Sequence, residues 1–525
     1  MVVTIHLSRQ PAKTGRRNQG GALGIRIGAY VLALLGLNPQ QQALALDNLA
    51  VPPASSSPQT PPPDFASLPD FGDPSGALIS PAEEKSLGEE FMRSIRSEVS
   101  LVDDPEVEEY IQNLGYRLVA GADPQPFGFD YFVVRDPNVN AFAGPGGYIG
   151  VNSGLILIAQ NESELASVLA HETAHVTQHH LLRTFDKVNR TSLPTMAALI
   201  AALVLGAHSP QMAEAAIAST MAGGQQMQIN FTRDNELEAD RVGMQILVAA
   251  GYDPRSMPAF FERMQQATRY YESGVPKLLM DHPVTAYRIS YTRNRAEQYP
   301  HITPRDDLPF ELMRAKLRVL TANDATQPVA YFEEELRHKT YSHEEAVRYG
   351  YALALLNNDR PKAAREQVRW LLKQSPNSIP YLIAEAKVES AMGNDARSLK
   401  IYADALDLYP GHYPLTILYS QELLHQGKAS RARGLLQAYL RNRSARPLVY
   451  KLLAQADSDA GFAVDSQQAL AEYDYLNGQT RSAIEHLNQA LHMTDKDDFY
   501  RTTSIEARLK EFKQQAELEG KEDKK

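Results

Sequence analysis

Cysteine is absent from this sequence of 525 residues, and its absence excludes several kinds of protein. Without cysteine the chain cannot form disulfide bonds or carry a lipid on an N-terminal cysteine. An excess of basic charge is also lacking: 53 Lys and Arg stand against 63 Asp and Glu, and the net charge is −10. Both signs are interspersed, which gives no indication of nucleic-acid binding. The length is sufficient for two or more domains with full cores.

The N-terminal region lacks an apolar run long enough to cross a membrane comfortably. Its run at 27–37 has eleven residues, whereas a spanning helix needs about 20. Ala43-Leu44-Ala45 follows the run, and the basic residues before it are Arg9, Lys13, Arg16, Arg17 and Arg26. This order predicts a cleavable signal peptide over 1–45, with an uncleaved anchor as the alternative. An exported chain without cysteine cannot mispair under oxidising conditions, so we expect the periplasm of a bacterium.

A second N-terminal segment, 46–78, is rich in proline and serine and has few large apolar side chains. This composition predicts a disordered leader after cleavage. The folded part is predicted to begin at Ile79. Ser80 and Pro81, followed by Glu83 and Glu84, are typical of a helix start.

His171-Glu172-Thr173-Ala174-His175 is the motif that most limits what the chain does. If the segment is helical, residues four apart share a face, so His171 and His175 can direct nitrogens at one metal ion. Glu172 lies beside them and can take a proton from water at the metal. The alternative is that the histidines are ordinary surface residues. The motif by itself favours a zinc hydrolase.

A third ligand is expected, because catalytic zinc usually has three protein ligands and keeps a fourth position for water. The metzincin extension needs Gly at 178 and His at 181, and the chain has Gln178 and Leu181. Downstream, Glu236 and Asp240 are four residues apart and would share one helix face. One carboxylate can bind zinc while the other accepts the second N–H of a zinc-bound histidine. The alternative is that both are solvated charges.

Three neighbouring polar residues are expected outside the ligand set. Glu238 would point about 200° away from Glu236 on a helix, toward solvent. His179 and His180 extend the histidine cluster but lie off the ligand face or a turn beyond it. We expect structural or supporting roles for these two histidines.

The order of these motifs resembles the gluzincin peptidases, the family that includes the CaaX-prenyl protease and the bacterial heat-shock protease. The segment from Asn140 to Ile149 resembles the family's Asn-Ala-Phe-Ala segment, which precedes an active-site edge strand. Asp281-His282-Pro283, followed by Arg288-Ile289, resembles its downstream His-Pro element. Gly144 departs from the many relatives that have a bulky residue there, which implies an altered substrate cleft.

The resemblance implies a role for each candidate residue. Glu172 would be the catalytic base, and Asp240 would hold a ligand histidine. His282 would lie over the zinc, where it either caps the ion at rest or stabilises the oxyanion. The residues that would bind one Zn2+ per chain are His171, His175 and Glu236.

Substrate is expected to bind along a strand edge near the zinc. Phe129 to Arg135 and Gly147 to Val151 are predicted strands, separated by a stretch rich in Gly and Pro. A peptide added as a strand on an exposed edge would have its backbone across the zinc, whatever its side chains. The residues expected to contact substrate are Asn140, Ala141, Phe142, Gly147 and Tyr148.

The segment 192–228 is rich in alanine and methionine and is almost uncharged. Its stretch from Leu199 to Leu205 is apolar all round, as in a buried helix. We favour a buried or cleft-covering helix pair with a turn at 206–210. A peripheral membrane contact is the alternative, because about thirteen apolar residues cannot span a bilayer.

The C-terminal half has a period of 34 residues, which separates Pro376 from Pro410 and Gly393 from Gly427. The period and its small-residue columns resemble the tetratricopeptide repeat, with a generic helical bundle as the alternative. The predicted repeats are 345–378, 379–412, 413–447 and 464–497, with an insertion near 458–461. Stacked repeats form a curved surface that is suited to binding another protein.

The predicted fold is mainly α. An N-terminal gluzincin α+β protease domain with a small β-sheet precedes a C-terminal α-solenoid of tetratricopeptide repeats. The predicted bounds are 79–305 for the protease domain, 306–344 for a helical connector, 345–500 for the repeats and 501–525 for a charged helical tail.

An exported zinc peptidase with such repeats resembles the periplasmic members of the family. The resemblance implies an endopeptidase that degrades misassembled outer-membrane β-barrel proteins and assists their assembly. Its expected partners are unfolded or stalled outer-membrane proteins and, through the repeats, the β-barrel assembly machinery. The alternative function is that of a chaperone or adaptor for this assembly, with a latent protease site.

Overall fold

The computed structural model describes most of the chain from Ile79 onward. The described residues are 79–185, 196–198, 200–201, 232–268, 277–303, 305–441, 443, 446–495 and 497–520. The predicted signal peptide, the leader 46–78 and nearly all of 192–228 lie outside them. The described chain is mainly helical with one three-stranded sheet, which confirms the predicted fold class.

The first two helices begin at strong cap signals. Helix α1 spans Pro81–Glu98 and α2 spans Pro105–Val119. The hydroxyl of Ser80 accepts a hydrogen bond from the backbone N–H of Glu83, whose carboxylate accepts one from the backbone of Ser80. Asp104 caps α2 in a similar way. Proline follows both caps, where its missing N–H would have no partner in the helix.

The sheet consists of β1 (Asp130–Val134), β2 (Ala141–Ala143) and β3 (Tyr148–Asn152). Strand β3 is central, parallel to β1 and antiparallel to β2. The predicted strands correspond to β1 and β3. Strand β2 is missing from the prediction because three residues are too short to show a period of two.

Seven more helices with complete bounds lie in the described ranges of the protease half. Their bounds are α3 Ser153–Ile158, α4 Glu162–Thr177, α5 His180–Phe185, α6 Arg233–Ala249, α7 Ser256–Thr268, α8 Lys277–Asp281 and α9 Ala286–Ala296. Helix α4 contacts the sheet, α2, α6 and α7, so it is buried on nearly all sides. This central position removes the motif histidines from bulk water.

The second half is helical throughout its described residues. The connector contains α10 (Leu308–Leu320) and α11 (Thr326–His338). The helices that follow are α12 Glu344–Asn357, α13 Pro361–Gln374, α14 Ile379–Ala391, α15 Asp395–Leu408, α16 Tyr413–His425, α17 Ala429–Leu440, α18 Pro447–Asp459, α19 Ala463–Leu476, α20 Thr480–Met493 and α21 Phe499–Gly520. Consecutive helices pack as antiparallel pairs, as in a solenoid.

The structure differs from the prediction at the fourth repeat. Gly393, Gly427 and Gly461 all have left-handed φ angles, of 76°, 68° and 84°, in the turns that join paired helices. Gly461 is 34 residues after Gly427, so the period continues through α18 and α19. The expected insertion near 458–461 is therefore an ordinary repeat turn, and the fourth pair begins at Pro447.

The charged C-terminal segment forms the last helix. Helix α21 continues to Gly520, and one face of it packs against α20. Leu509 and Phe512 on this face are buried, and Phe512 stacks on Tyr475 with ring centroids 4.1 Å apart. The predicted charged tail is helical to Gly520, and its buried face closes the solenoid.

A connector helix and one repeat helix contact the start of α2 through buried charges. Lys316 of α10 forms ion pairs with Asp104, at 2.8 Å from Nζ to Oδ1, and with Glu106. The hydroxyl of Tyr349 in α12 donates to Glu106 Oε1 at 3.0 Å. We call this group of four residues the junction cluster.

The later repeats contact α1 and α2 as well. Glu108 of α2 accepts hydrogen bonds from Tyr413 at 2.9 Å and from Arg446 at 2.8 Å. Arg93 of α1 donates to Thr480 at 2.6 Å, and its guanidinium lies 4.1 Å from the ring centroid of Tyr475. The repeat half therefore packs directly on the protease half.

The described residues of segment 192–228 are helical, and three of them are buried while Ala198 is exposed. Ala197, Ile200 and Ala201 are fully buried in a cluster with Phe91 of α1 and Phe142 of β2. Within the described ranges, every helix is too short or too polar to span a bilayer.

Candidate active site

Helix α4 presents both motif histidines at the centre of the protease half. Asn161 caps the helix by accepting a hydrogen bond from the backbone of Glu164. His171 and His175 lie one turn apart, and their Nε2 atoms are 3.1 Å from each other. Both are nearly fully buried, and Glu172 between them is 0% exposed. The site is therefore formed inside the protein, not on its surface.

Helix α6 supplies a carboxylate to the same point. Glu236 Oε2 lies 3.5 Å from His171 Nε2, and Glu236 Oε1 lies 3.5 Å from His175 Nε2. The close approach of α6 depends on Gly243, where a Cβ would come within 3.0 Å of Ala170 O and of His171 Cα. A larger residue at this position would push Glu236 away from the histidines.

Asp240, one turn after Glu236, holds His171 from behind. Its Oδ1 lies 3.1 Å from His171 Nδ1, so the Nδ1–H can donate while Nε2 faces Glu236. Arg288 of α9 in turn donates to both oxygens of Asp240, from Nη2 at 2.7 Å and from Nε at 2.8 Å. Arg288 Nη1 also lies 2.6 Å from Glu236 Oε2. One guanidinium thus orients both carboxylates.

His282 lies against the opposite side of the cluster, just after α8. Its Nδ1 is 2.9 Å from Glu236 Oε1, and its Nε2 is 3.6 Å from Glu172 Oε1. The backbone N–H of His282 donates to Leu278 O at 2.8 Å. Its side chain therefore faces the point on which the two α4 histidines and Glu236 converge.

The donor set fits a zinc ion. One ligand atom from each of His171, His175, Glu236 and His282 lies within 4.8 Å of the others, and all four residues are buried. Nitrogen and carboxylate ligands are those of catalytic zinc sites. Neither carboxylate oxygen of Glu172 accepts a hydrogen bond from any residue in the described ranges. Buried polar atoms rarely lack a hydrogen-bond partner, so the carboxylate of Glu172 is available to bind reacting groups.

The pKa values of Glu172 and Glu236 are shifted in opposite directions. Burial raises the pKa of Glu172, although His282 and His171 oppose the shift. Burial would also raise the pKa of Glu236, but His282 and His171 lower it well below its usual range. Burial by itself would lower the pKa of His171, but hydrogen bonds to Asp240 and Glu236 raise it to about 10. The carboxylate with the raised pKa is the one suited to proton transfer.

Comparisons with known proteins agree with this geometry. Residues 105–296 match the family model described as peptidase family M48. Over 433 residues the chain is 36% identical to the putative beta-barrel assembly-enhancing protease of Vibrio cholerae, covering 82% of this chain and 89% of that protein. The chain belongs to the beta-barrel assembly-enhancing proteases of peptidase family M48.

Two other relatives mark the extent of the likeness. The beta-barrel assembly-enhancing protease of Escherichia coli K12 is 31% identical over 423 residues, which cover 81% of this chain and 86% of that protein. The mitochondrial metalloendopeptidase OMA1 of Schizosaccharomyces pombe is 30% identical over 158 residues, which cover 30% of this chain and 44% of that protein. The predicted enzyme class is confirmed: the M48 chain is a zinc metalloprotease.

The expected substrate residues lie in two different structural settings. Ala141 and Phe142 belong to β2, which is an edge strand, and Asn140 precedes it. Gly147 and Tyr148 lie at the start of β3, where Tyr148 pairs with β1 and its carbonyl accepts from Gly144. Gly147 ends the 3-10 turn Pro145–Gly147 that precedes β3, and the backbone of Tyr148 is paired within the sheet. Contact of these two residues with substrate stays a prediction.

Gly144 has a packing explanation in this M48 chain. A Cβ at Gly144 would lie 2.3 Å from Cε1 of Phe91 in α1. The aromatic ring of Phe91 therefore fills the space that a side chain at position 144 would need.

Glu238 lies off the ligand face, as expected, but its side chain does not simply extend into solvent. Its side chain is one-third exposed and turns back to His180, with 3.2 Å between Oε2 and Nε2. Helical phase puts Glu238 off the ligand face, but α5 brings His180 to that side of α6. A pairing between helices cannot be read from the phase of one helix.

The sequence does not predict the role of Arg288, which lies in the His-Pro segment. Its position six residues after His282 was the available signal, since an arginine near a carboxylate pair is suited to bidentate pairing. The N-cap Thr285 starts α9 so that Arg288 lies in its first turn and faces α6. Only the packing of α9 on α6 reveals which carboxylates it orients.

Proposed function

We propose that this zinc metalloprotease is a periplasmic endopeptidase that degrades misassembled outer-membrane β-barrel proteins and assists their assembly. The observation that carries the proposal is the convergence of His171, His175 and Glu236 beside the unpartnered carboxylate of Glu172. The client class follows from the names of the relatives, which enhance β-barrel assembly. The repeats would dock clients or the assembly machinery, as expected for a solenoid surface.

The residues divide the chemistry among themselves. Bound zinc supplies Lewis acidity to the scissile carbonyl and makes water more acidic. His171, His175 and Glu236 hold the ion, and Asp240 keeps His171 in the tautomer whose Nε2 is free to ligate. Glu172 removes a proton from the attacking water at its carboxylate and returns it to the leaving amine.

Peptide binding is proposed at the edge of β2 that does not pair with β3. A substrate strand would pair with the backbone around Asn140, Ala141 and Phe142, and side-chain identity would contribute little. Strand β2 packs against α4, the helix that carries Glu172. A bound strand would therefore pass close to the catalytic carboxylate.

His282 is proposed to cap the site at rest. Its ring nitrogens lie within 4.8 Å of the three ligand atoms, so it is able to occupy the fourth position. This arrangement also favours the second candidate function, in which the protein is chiefly a chaperone or adaptor with a latent protease site. The two candidates differ in what happens when the cap is removed.

Glu172→Gln tests the mechanism. We expect zinc to remain bound, because Glu172 is not a ligand, and proteolysis to fall by about 100-fold to 10,000-fold. Bound zinc and cleavage of casein and of an unfolded β-barrel protein are measured for wild type and variant. Full activity in the variant would reject Glu172 as the base.

His282→Ala tests the cap. We expect cleavage to rise by roughly threefold to tenfold, because the fourth position is freed for water and substrate. The same two assays are used, with circular dichroism to show that the variant is folded. A fall in activity would instead indicate that His282 stabilises the oxyanion, and no change would remove it from the site.

A further inference from the structure

The two ligand histidines of α4 are held by different groups. His171 Nδ1 faces the carboxylate of Asp240. His175 Nδ1 faces another histidine: His180 Nδ1 lies 3.0 Å from it. The other nitrogen of His180, Nε2, lies 3.2 Å from Glu238 Oε2. His175 is therefore held by His180 and, through it, by Glu238, whereas His171 contacts Asp240 directly.

The end of α4 brings His180 into this position. Residues five apart do not share a face on a continuous helix. Here α4 ends at Thr177, and His179 takes a left-handed φ of 52° before α5 begins. That turn folds the ring of His180, which is 0% exposed, back against His175.

Glu238 is itself held in place. Arg241 Nη2 lies 3.4 Å from its Oε1, and Arg183 Nη1 lies 3.7 Å from its Oε2. Glu236, Glu238 and Asp240 all belong to α6. One helix thus supplies a proposed metal ligand and two carboxylates that each act on a different ligand histidine.

The directions of the hydrogen bonds follow from the ligand atom. His175 Nε2 faces Glu236 and His171 Nε2, so in a metal site it must present a lone pair. A neutral His175 then carries its proton on Nδ1 and donates it to His180 Nδ1. Because His180 accepts at Nδ1, its own proton lies on Nε2 and is donated to Glu238, whose carboxylate can only accept.

We propose that His180 and Glu238 are positioning residues that fix the tautomer and the ring orientation of His175. The proposal rests on the metal site described under the proposed function. In comparable metal sites, loss of a group that holds a ligand histidine weakens metal binding by about 10-fold to 100-fold.

The test is the zinc dissociation constant of the full-length protein, measured by competition with a chelator. His180→Phe removes the acceptor, and we expect zinc to bind about 10-fold to 100-fold more weakly. His180→Asn retains an acceptor oxygen near the position of Nδ1, so we expect affinity within about threefold of wild type. The neighbouring variant His179→Asn is the matched control, because His179 pairs with Glu84 at 3.7 Å instead.

Glu238→Ala provides a variant that is expected to fold, since the carboxylate is one-third exposed. We expect zinc affinity to fall on the order of tenfold. Nitrogen NMR of histidine-labelled protein gives a readout that a purely structural role would not change. The zinc-bound wild type should show His180 with its proton on Nε2. Without zinc, wild type should keep this tautomer, because Glu238 still accepts from Nε2, and Glu238→Ala should show a mixture of tautomers.

The outcomes distinguish failure of the positioning role from failure of the metal site. If wild type binds zinc and both His180→Phe and Glu238→Ala bind it equally well, the positioning role is overturned while the metal site stands. A proton on Nδ1 of His180 in the zinc-bound wild type also overturns it. If wild type binds no zinc, or binds it equally well after His171→Ala, the metal site itself is wrong.

Discussion

Buried charges are arranged differently in the active site and in the junction cluster. In the active site, Glu172 is 0% exposed and its carboxylate accepts no hydrogen bond from the described residues. In the junction cluster, Lys316 is 2% exposed and contacts the carboxylates of Asp104 and Glu106. Burial alone would lower the pKa of Lys316, but Asp104 and Glu106 raise it.

The difference shows what each region is built for. An unpartnered buried carboxylate destabilises the folded state and is retained where its chemistry is needed. A buried lysine between two carboxylates serves no reaction, and it holds the connector against α2 for as long as the set is complete. Removal of a charge should therefore reduce activity in one region and stability in the other.

The largest stability effect is expected at the junction cluster. Lys316→Met removes the lysine that forms ion pairs with the buried Asp104 and Glu106, and Lys387 remains as the other positive charge that acts on them. The free energy of unfolding should fall by about 3–5 kcal/mol. Urea unfolding measures the loss. Glu172→Gln is the matched control, because the oxygens of Glu172 accept no hydrogen bond from the described residues and His282 Nε2 approaches only to 3.6 Å, so we expect no loss of stability. Equal losses in both variants would contradict the comparison.

The pH dependence of the junction cluster has a definite sign. The pKa of Lys316 is raised from 10.5, so its contribution is present below 10.5 and is lost as the pH rises through the folded value. Burial by itself would raise the pKa of Asp104, but Lys316 lowers it below 3.8. The stabilising contribution of Asp104 is therefore present above pH 3.8 and is lost as the pH falls through the folded value. The stability difference between wild type and Lys316→Met should therefore shrink at both extremes.

Arg288 combines features of the two regions. It is a buried cation paired with carboxylates, as Lys316 is, but the carboxylates that it orients belong to the active site. Arg288→Lys keeps the charge but loses the bidentate contact with Asp240. We expect zinc affinity to fall by about 10-fold to 100-fold, equivalent to about 1.4–2.7 kcal/mol. Chelator competition measures it. Unchanged affinity would show that Asp240 holds His171 without help.

The smallest effect is expected for a neutral pair behind the site. The hydroxyl of Tyr131 in β1 lies 2.7 Å from Thr173 Oγ1, which donates its own proton to Leu169 O. Tyr131→Phe should lower the free energy of unfolding by about 1 kcal/mol, with zinc affinity unchanged. A loss as large as that of Lys316→Met would show that charge is not what distinguishes the two regions.

Much of the candidate site could be predicted because its residues are grouped on two helices. The spacing of His171 and His175, and of Glu236 and Asp240, is set by helical geometry alone. His180, Glu238 and Arg288 could not be assigned in the same way. Their contacts cross from one helix to another, and helical periodicity carries no information about which helices meet.

The repeats show the same limit at a larger scale. The sequence shows a 34-residue period, but the sequence alone misplaced the fourth repeat. In the structure the turn at Gly461 has the same left-handed φ as the turns at Gly393 and Gly427. The buried face of α21 was hidden by its charged composition. A segment with many charges can still bury one face, since long charged side chains need only one side of a helix.

The sequence by itself determined the catalytic chemistry, the all-helical second half and the presence of a small sheet, because motif spacing and repeat period are local properties. Only the tertiary structure decided the order of the strands in the sheet, which partners hold each ligand histidine, and where the repeats contact the protease half. Those features depend on pairings between residues far apart in the chain. Such pairings are selected by packing and by the need to satisfy buried polar groups, which no local pattern records.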